Sequence, residues 1–224
     1  MAARSYGQYC GVTTAVELVA ERWALLIIRD LLVGPRRYTD LRQGLPKIPT
    51  NILSARLKEL QESGVIRRVP LARCGLVYEL TEYGRELEPV VLALGRWGLR
   101  SIGEPRNGDI VTADSLTIAL RSAFRPGLAS ASLDFQIQVD TVELRAQVSA
   151  SELKVVQIAP PAPPVGGSLP SGEPDLWFAT GSGLRHLLAG TLTPAQAVKQ
   201  GVVAILKGDL RLLERFTELF RIDP

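Results

Sequence analysis

The fold of the N-terminal part of the chain is decided by the stretch Thr50-Asn51-Ile52-Leu53-Ser54-Ala55-Arg56-Leu57-Lys58-Glu59-Leu60. Leucines at positions 53, 57 and 60 recur at the spacing of one helix face. This spacing predicts a helix from residue 50 to residue 63 with one buried side, ended by Gly64. The residues of the other side are small, polar or cationic: Thr50, Asn51, Ser54 and Lys58, with Arg56 at the flank. Such a side is suited to contact a polyanion, and we call this segment the reading helix.

Further helical patterns and one strand pair surround the reading helix. Residues 23–32 predict a helix stopped by Gly34-Pro35, and a short helix follows, with Thr39 expected as its N-cap. After the reading helix, residues 65–71 and 76–80 predict two strands. A last helix is expected to begin after Thr81 and to be kinked by Pro89. The order helix, turn, helix, hairpin is one that places a helix in the major groove of duplex DNA.

Basic residues flank the reading helix. Residues 1–100 contain 15 Lys and Arg against 10 Asp and Glu, whereas residues 101–224 contain 11 and 13. We expect the DNA-contacting residues to come from the reading helix and from its flanks: Thr50, Asn51, Ser54, Arg56 and Lys58, with Arg36, Arg37, Arg68 and Arg73. The alternative is a solvated cationic face on a domain that docks on another protein.

Composition excludes several classes of protein. The chain has 224 residues, one histidine and two cysteines. Its apolar runs are far shorter than the roughly 18 to 20 residues of a membrane span, and no apolar stretch follows the N-terminus, so a cytoplasmic location is expected. His186 has no cysteine nearby, and the acidic residues show no metal-ligand spacing. We therefore expect no catalytic residue, no metal and no cofactor.

Three more segments carry a family pattern: Glu21-Arg22-Trp23-Ala24-Leu25-Leu26, Gly34-Pro35-Arg36-Arg37-Tyr38-Thr39-Asp40-Leu41 and Tyr78-Glu79-Leu80-Thr81-Glu82-Tyr83-Gly84. Together with residues 50–60 they resemble the HxlR-type winged-helix regulators, relatives of the MarR group, over residues 6–98. The resemblance implies a transcription factor that binds a near-palindromic operator as a homodimer. The chain departs from the family in having Pro49-Thr50 where Ser-Pro usually opens the reading helix.

The same resemblance implies roles for two other groups of residues. The dimer interface would combine the N-terminal helix, which the sequence predicts over residues 13–20, with four residues near the end of the domain: Leu87, Val91, Leu94 and Trp97. Cys10 stands where several family members carry a redox-sensing thiol, whose pKa a neighbouring cation could lower. The alternative for Cys10 is an inert cysteine at the dimer surface.

A second domain is expected after a linker. Gly, Pro and Asn mark residues 103–109 as the linker between domains over residues 1–102 and 110–224. Apolar alternation over residues 133–139 and 142–148 predicts antiparallel strands. The expected fold class is α+β: a winged helix-turn-helix domain, then a smaller α+β domain with a mostly antiparallel sheet and helices on one face.

A second resemblance covers residues 174–220, through Asp175-Leu176-Trp177-Phe178-Ala179-Thr180 and Leu192-Thr193-Pro194-Ala195-Gln196-Ala197. These residues look like the C-terminal half of sterol-carrier-protein-like domains, which implies an apolar tunnel for a lipid-like molecule. Four aromatic residues are candidates to line it: Phe124, Phe135, Trp177 and Phe178. A filled core is the alternative. The sequence thus predicts a DNA-binding regulator responsive to a small apolar effector, with a carrier or sensor of lipid-like ligands as the alternative.

Overall fold

The computed structural model describes residues 5–72, 75–129, 131–158 and 171–222. The chain divides into two compact units, Met1–Val91 and Leu92–Pro224. This division lies within a helix, upstream of residues 103–109. The second unit is the longer of the two, so the expectation of a smaller C-terminal domain is wrong.

The first unit begins with four helices: α1 (Gly11–Val19), α2 (Ala24–Val33), α3 (Tyr38–Gly44) and α4 (Thr50–Glu62). The apolar faces expected from the sequence are buried, including Ile27 and Leu31 of α2 and the three leucines of α4. At the end of α4, Gly64 takes a φ of +72°, a left-handed conformation that glycine adopts without steric cost. The reading helix is therefore present, and Pro49 stands at its N-cap.

Helix α3 begins earlier than expected. Its N-cap is Arg37, whose backbone N–H donates to the Asp40 carboxylate at 2.8 Å. Thr39 consequently lies inside the helix and is not its cap. Asp40 is the third residue of α3, and its carboxylate accepts one of the backbone N–H groups that have no partner within the helix.

A two-stranded antiparallel sheet follows α4, formed by β1 (Ile66–Leu71) and β2 (Gly75–Leu80). Arg36 forms an additional bridge to β2: its N–H donates to the Tyr78 carbonyl at 2.9 Å, and its carbonyl accepts the Tyr78 N–H at 2.8 Å. Val77 and Leu80 are buried, which anchors the hairpin to the helices of this unit.

The region expected to form one kinked helix contains two helices. The first, α5 (Glu82–Arg85), is capped by Thr81, whose hydroxyl accepts the Gly84 N–H at 3.1 Å. The second, α6, spans Glu88–Leu99, and residues 86–87 form a turn between the two. Pro89 therefore stands in the first turn of α6, where its missing N–H breaks no helical hydrogen bond.

A five-stranded mixed sheet forms the centre of the second unit. Its strands are β3 (Leu133–Val139), β4 (Val142–Ser149), β5 (Glu152–Gln157), β6 (Leu176–Thr180) and β7 (Val203–Lys207). Their order is β5-β4-β3-β6-β7. Strands β3 and β6 are parallel, whereas the other neighbouring pairs are antiparallel.

Four helices complete the second unit: α7 (Ala113–Ala123), α8 (Leu184–Leu188), α9 (Pro194–Lys199) and α10 (Leu210–Leu219). Their buried residues form one hydrophobic cluster with the inward residues of the sheet. Thr193 caps α9 by accepting the Gln196 N–H at 3.2 Å, as the capping-box pattern of the sequence indicates. Within the described ranges of the whole chain, every helix is too short or too polar to cross a bilayer.

Candidate nucleic-acid interface

One side of α4 carries an exposed polar surface, which we call the α4 surface: Thr50, Asn51, Ser54 and Lys58. Lys58 exposes 76% of its side chain. Among the described residues, no side chain caps α4, and its first turn contains no acidic residue. The backbone N–H groups at the start of the helix, together with the positive end of its dipole, are therefore suited to bind a phosphate.

Tyr38 of α3 sets the position of the α4 surface. Its hydroxyl donates to the Thr50 carbonyl at 3.1 Å and accepts from Ser54 Oγ at 3.4 Å. Sequence reasoning missed this residue. The available signal is a tyrosine at the start of a short helix, because a partly buried tyrosine hydroxyl usually finds a hydrogen-bond partner.

Arg56 forms ion pairs within the first unit, although the sequence predicts that it contacts DNA. Its guanidinium forms ion pairs with Glu59 on the same helix and with Glu21, whose Oε2 lies 3.5 Å from Nη2. Only 16% of the Arg56 side chain is exposed. Two carboxylates already compensate its charge, so the structure does not support an Arg56 contact to a base or phosphate. Arg56 instead ties α4 to the segment that precedes α2.

The two arginines before α3 have different surroundings. Arg36 is buried, and its Nη1 donates to the Pro35 carbonyl at 2.9 Å. The expectation that Arg36 contacts DNA is therefore wrong, because its bridge to Tyr78 draws this residue into the fold. Arg37 is exposed at the start of α3 and remains a candidate for DNA contact.

The hairpin contributes exposed cations next to one another. The Arg68 guanidinium lies over the Tyr78 ring, 5.7 Å from its centroid, and the side chain is exposed. Arg67 pairs with Glu79 at 2.7 Å but keeps 64% of its side chain exposed. Arg73, the other hairpin candidate, lies outside the described residues. Arg68 is thus the predicted hairpin contact that the described structure leaves accessible.

Part of the predicted dimer interface is exposed. Trp97 exposes 70% of its surface, and Leu94 and Val90 of the same helix are also exposed. Val91 is buried, and Leu87 is half-buried in the turn before α6. These two residues therefore do not belong to the exposed apolar face of α6. Val90 replaces Val91 there, because one residue along a helix turns the side chain by about 100°.

Cys10 is exposed and is the N-cap of α1. Hydrogen bonds from the backbone N–H groups of Thr13 and Val12, together with the Thr13 side chain, lower the pKa of its thiol. The cause is thus the start of a helix rather than a neighbouring cation. Whether the thiol senses oxidants stays a prediction.

The aromatic residues expected to line a ligand space are mostly packed against other rings. Phe135 and Phe178 are fully buried, and their ring centroids lie 5.4 and 5.0 Å from that of Phe216, edge to face. Trp177 is half-buried. For Phe135 and Phe178 the filled-core alternative describes the structure, because closely packed rings leave no room for a ligand between them. Phe124, by contrast, borders a surface cavity.

His186 and the acidic residues form no metal-binding group in the described ranges. There, no group of three or more His, Cys, Asp and Glu side chains could hold a metal ion. His186 Nδ1 lies 2.8 Å from Thr191 Oγ1, which ties the end of α8 to the turn that follows.

Known proteins are similar to the N-terminal half of the chain. The model of the HxlR-like helix-turn-helix family matches residues 18–105. The chain is 35% identical over 91 residues to the HTH-type transcriptional regulator YdeP of Bacillus subtilis, covering 40% of this chain and 71% of YdeP. It is 41% identical over 101 residues to the HTH-type transcriptional regulator Rv3095 of Mycobacterium tuberculosis, covering 44% of this chain and 63% of Rv3095. The structure of the redox regulator HypR in its oxidized form matches 42% of this chain and 100% of HypR, with 28% identity and a TM-score of 0.40.

These matches place the family pattern on the elements described above. The matched range begins in α1, contains α3, α4 and the hairpin, and ends after α6. Most of the second unit lies beyond it. Over residues 18–105, the chain belongs to the HxlR-like helix-turn-helix family of transcriptional regulators.

Proposed function

We propose that this HxlR-family regulator binds a near-palindromic operator as a homodimer, with the first half of α4 in the major groove. The observation that carries the proposal is the exposed α4 surface at a helix start without acidic residues. In the groove, the Asn51 amide has the donor and acceptor that pair with adenine. Thr50 and Ser54 are short enough to allow close approach of the helix.

Three exposed cations support the DNA backbone contacts. Lys58 lies on α4, Arg37 at the start of α3 and Arg68 on the hairpin. In the proposed complex they bind phosphates on either side of the reading helix. Such contacts set position and orientation, whereas Thr50, Asn51 and Ser54 supply base recognition.

The experiment that tests DNA binding is fluorescence anisotropy with a labelled duplex of random sequence at several salt concentrations. Three phosphate-binding cations per subunit make six in a dimer, so affinity should fall by roughly 10³ between about 50 and 200 mM salt. Absence of binding, or binding insensitive to salt, would contradict the proposal and favour a carrier or sensor of lipid-like ligands whose first domain docks on protein.

Dimer formation is supported by the exposed apolar residues of α6, above all Trp97 and Leu94. Two copies related by a twofold axis would present two reading helices to half-sites about 34 Å apart. Light scattering after size exclusion should give a dimer mass, and Trp97→Lys should shift it toward monomer. The matched control, Val198→Lys on exposed α9, should leave the mass unchanged.

The proposal includes a small effector with an apolar part, bound by the second unit, which changes the spacing of the two reading helices. The likeness of residues 174–220 to sterol-carrier-like domains stays a prediction, since the family match ends at residue 105. We assign no catalytic activity or cofactor, and a cytoplasmic location is part of the proposal. Native mass spectrometry of the purified protein tests for a co-purified ligand.

A further inference from the structure

A cavity of about 620 Å³ opens on the surface of the second unit. Four arginines line it: Arg96 on α6, Arg100 just after α6, Arg125 after α7 and Arg221 after α10. Among the described residues, its lining contains no Asp or Glu. Cavities of this size accept small organic molecules.

Backbone hydrogen bonds hold the two segments that form this cavity. Arg125 donates its N–H to the Leu219 carbonyl, and Arg221 donates its N–H to the Ala123 carbonyl, both at 2.8 Å. Phe124 and Phe220 form an antiparallel bridge between these contacts. The main chain at Arg125 and Arg221 is therefore fixed before any ligand arrives, which reduces the ordering that binding would require.

Ser122 of α7 belongs to the same lining. Ser122 is 1% exposed, and its Oγ is buried without a hydrogen-bond partner in the described structure. The hydroxyl lies against Gly95 of α6, where a side chain would collide with it. Ser122 therefore packs α7 directly against α6, and both helices border the cavity.

The rest of the lining is apolar. Phe124, Leu128 and Ile222 contribute to it, and Ile222 is 4% exposed. Its backbone N–H donates to the Leu188 carbonyl at 2.7 Å, which holds this wall against α8. The cavity therefore combines an apolar wall with several guanidinium groups, which are suited to bind carboxylate or phosphate oxygens.

We propose that this cavity binds a small organic anion: a carboxylate or phosphate head group on an apolar body. The head group contacts the arginines, and the body lies on the wall of Phe124, Leu128 and Ile222. Arg100, Arg125 and Arg221 also have other polar contacts, so the preference for an anion rests on the composition of the described lining, which has four arginines and no Asp or Glu. As a binding site this goes beyond DNA binding. Only its use as the effector site rests on the proposed function.

Isothermal titration calorimetry of the full chain, without DNA, tests the site. The probes are decanoate and decyl phosphate, with decanol as the neutral ligand of the same tail length and inorganic phosphate as the head group alone. We expect decanoate or decyl phosphate to bind at least tenfold more tightly than decanol and than inorganic phosphate. The tighter of the two anions identifies the head group.

Two variants locate the binding. Arg96→Gln with Arg100→Gln should weaken binding of the preferred anion at least tenfold, while Arg211→Gln, an exposed arginine of α10 outside the lining, should leave it unchanged. Equal binding of decanol and the anions, no binding of either anion, or equal affinity of the double variant and the control would overturn the proposal. These calorimetric measurements contain no DNA, so they remain valid even if the protein does not bind DNA.

Discussion

Arg56 and Lys58 are two residues apart on α4, yet the structure predicts that their loss changes different properties. Arg56→Ala removes an ion pair to Glu59 at i,i+3 and a second one to Glu21. Pairs of this kind contribute about 0.3–0.5 kcal/mol within a helix and up to about 1 kcal/mol elsewhere at partly exposed sites. The two carboxylates are about a third exposed, at 36% and 34%, so water recovers part of the loss.

Taken together, Arg56→Ala should destabilise the first unit by about 1 kcal/mol, a shift of about 4–8 °C in melting temperature for a domain of 60–100 residues. Lys58→Ala should change stability by less than about 0.5 kcal/mol, because the side chain is 76% exposed and lies 3.6 Å from Glu62. Thermal unfolding followed by circular dichroism at 222 nm measures both shifts on the full chain.

DNA binding should show the reverse pattern. Lys58→Ala removes one phosphate contact per subunit, so the slope of log affinity against log salt should become shallower by about 0.9 for each subunit bound. Arg56→Ala should leave that slope unchanged, because its charge is already compensated by Glu59 and Glu21. An unchanged melting temperature of Arg56→Ala, together with a shallower slope of log affinity against log salt, would show that Arg56 contacts DNA.

Three further predictions concern the fold and Cys10. Gly84→Ala should destabilise the first unit by about 1–3 kcal/mol in urea unfolding, since the new Cβ would collide with the Val65 carbonyl. The control Gly98→Ala has open space around the new Cβ and should not destabilise the protein. Similar unfolding of the two variants would count against the packing of α5. Phe216→Ala should destabilise the second unit by about 3–5 kcal/mol, because its ring contacts Phe135, Phe178 and Phe220. Leu206 is exposed, so Leu206→Ala serves as the control. If the two variants lost the same free energy of unfolding, the core around Phe216 would not be packed. In a Cys74→Ser background, the rate of Cys10 alkylation should rise with pH around a lower midpoint than in urea, because the backbone N–H groups of Thr13 and Val12 lower the pKa of the thiol. As the pKa of Cys10 is lower in the folded state, the thiolate's contribution to stability is present above the unfolded pKa and is lost as pH falls through the folded pKa. Equal midpoints of alkylation in the folded protein and in urea would show that folding does not lower this pKa.

The sequence correctly predicted those helices and caps that depend on residues only a few positions apart in the chain. The spacing of Leu53, Leu57 and Leu60 was sufficient for α4, because a buried helix face repeats every three or four residues. Thr81 and Thr193 were identified as caps because their acceptor role depends on residues three positions further on. The interruption between α5 and α6 was not foreseen, although Pro89 prefers a first turn to a helix interior.

Contacts between distant residues explain the errors at the site. Arg56 has the sequence context of a DNA-binding residue, but Glu21 comes from another part of the chain to pair with it. Arg36 is buried because it bridges to Tyr78, a pairing that no local pattern indicates. In the same way, Arg96, Arg100, Arg125 and Arg221 are scattered in sequence and meet only in the folded second unit.

In the proposed complex, the first half of α4 contacts the bases of DNA. The most direct test is the affinity of Asn51→Ala for an operator selected from a random duplex pool, beside Gln61→Ala, an exposed residue near the other end of the same helix. Loss of a paired amide contact should cost about 1–3 kcal/mol, so Asn51→Ala should bind at least about fivefold more weakly. Gln61→Ala should bind as the parent does. Unchanged affinity of Asn51→Ala, or an equal loss in both variants, would contradict the assignment of α4 as the reading helix.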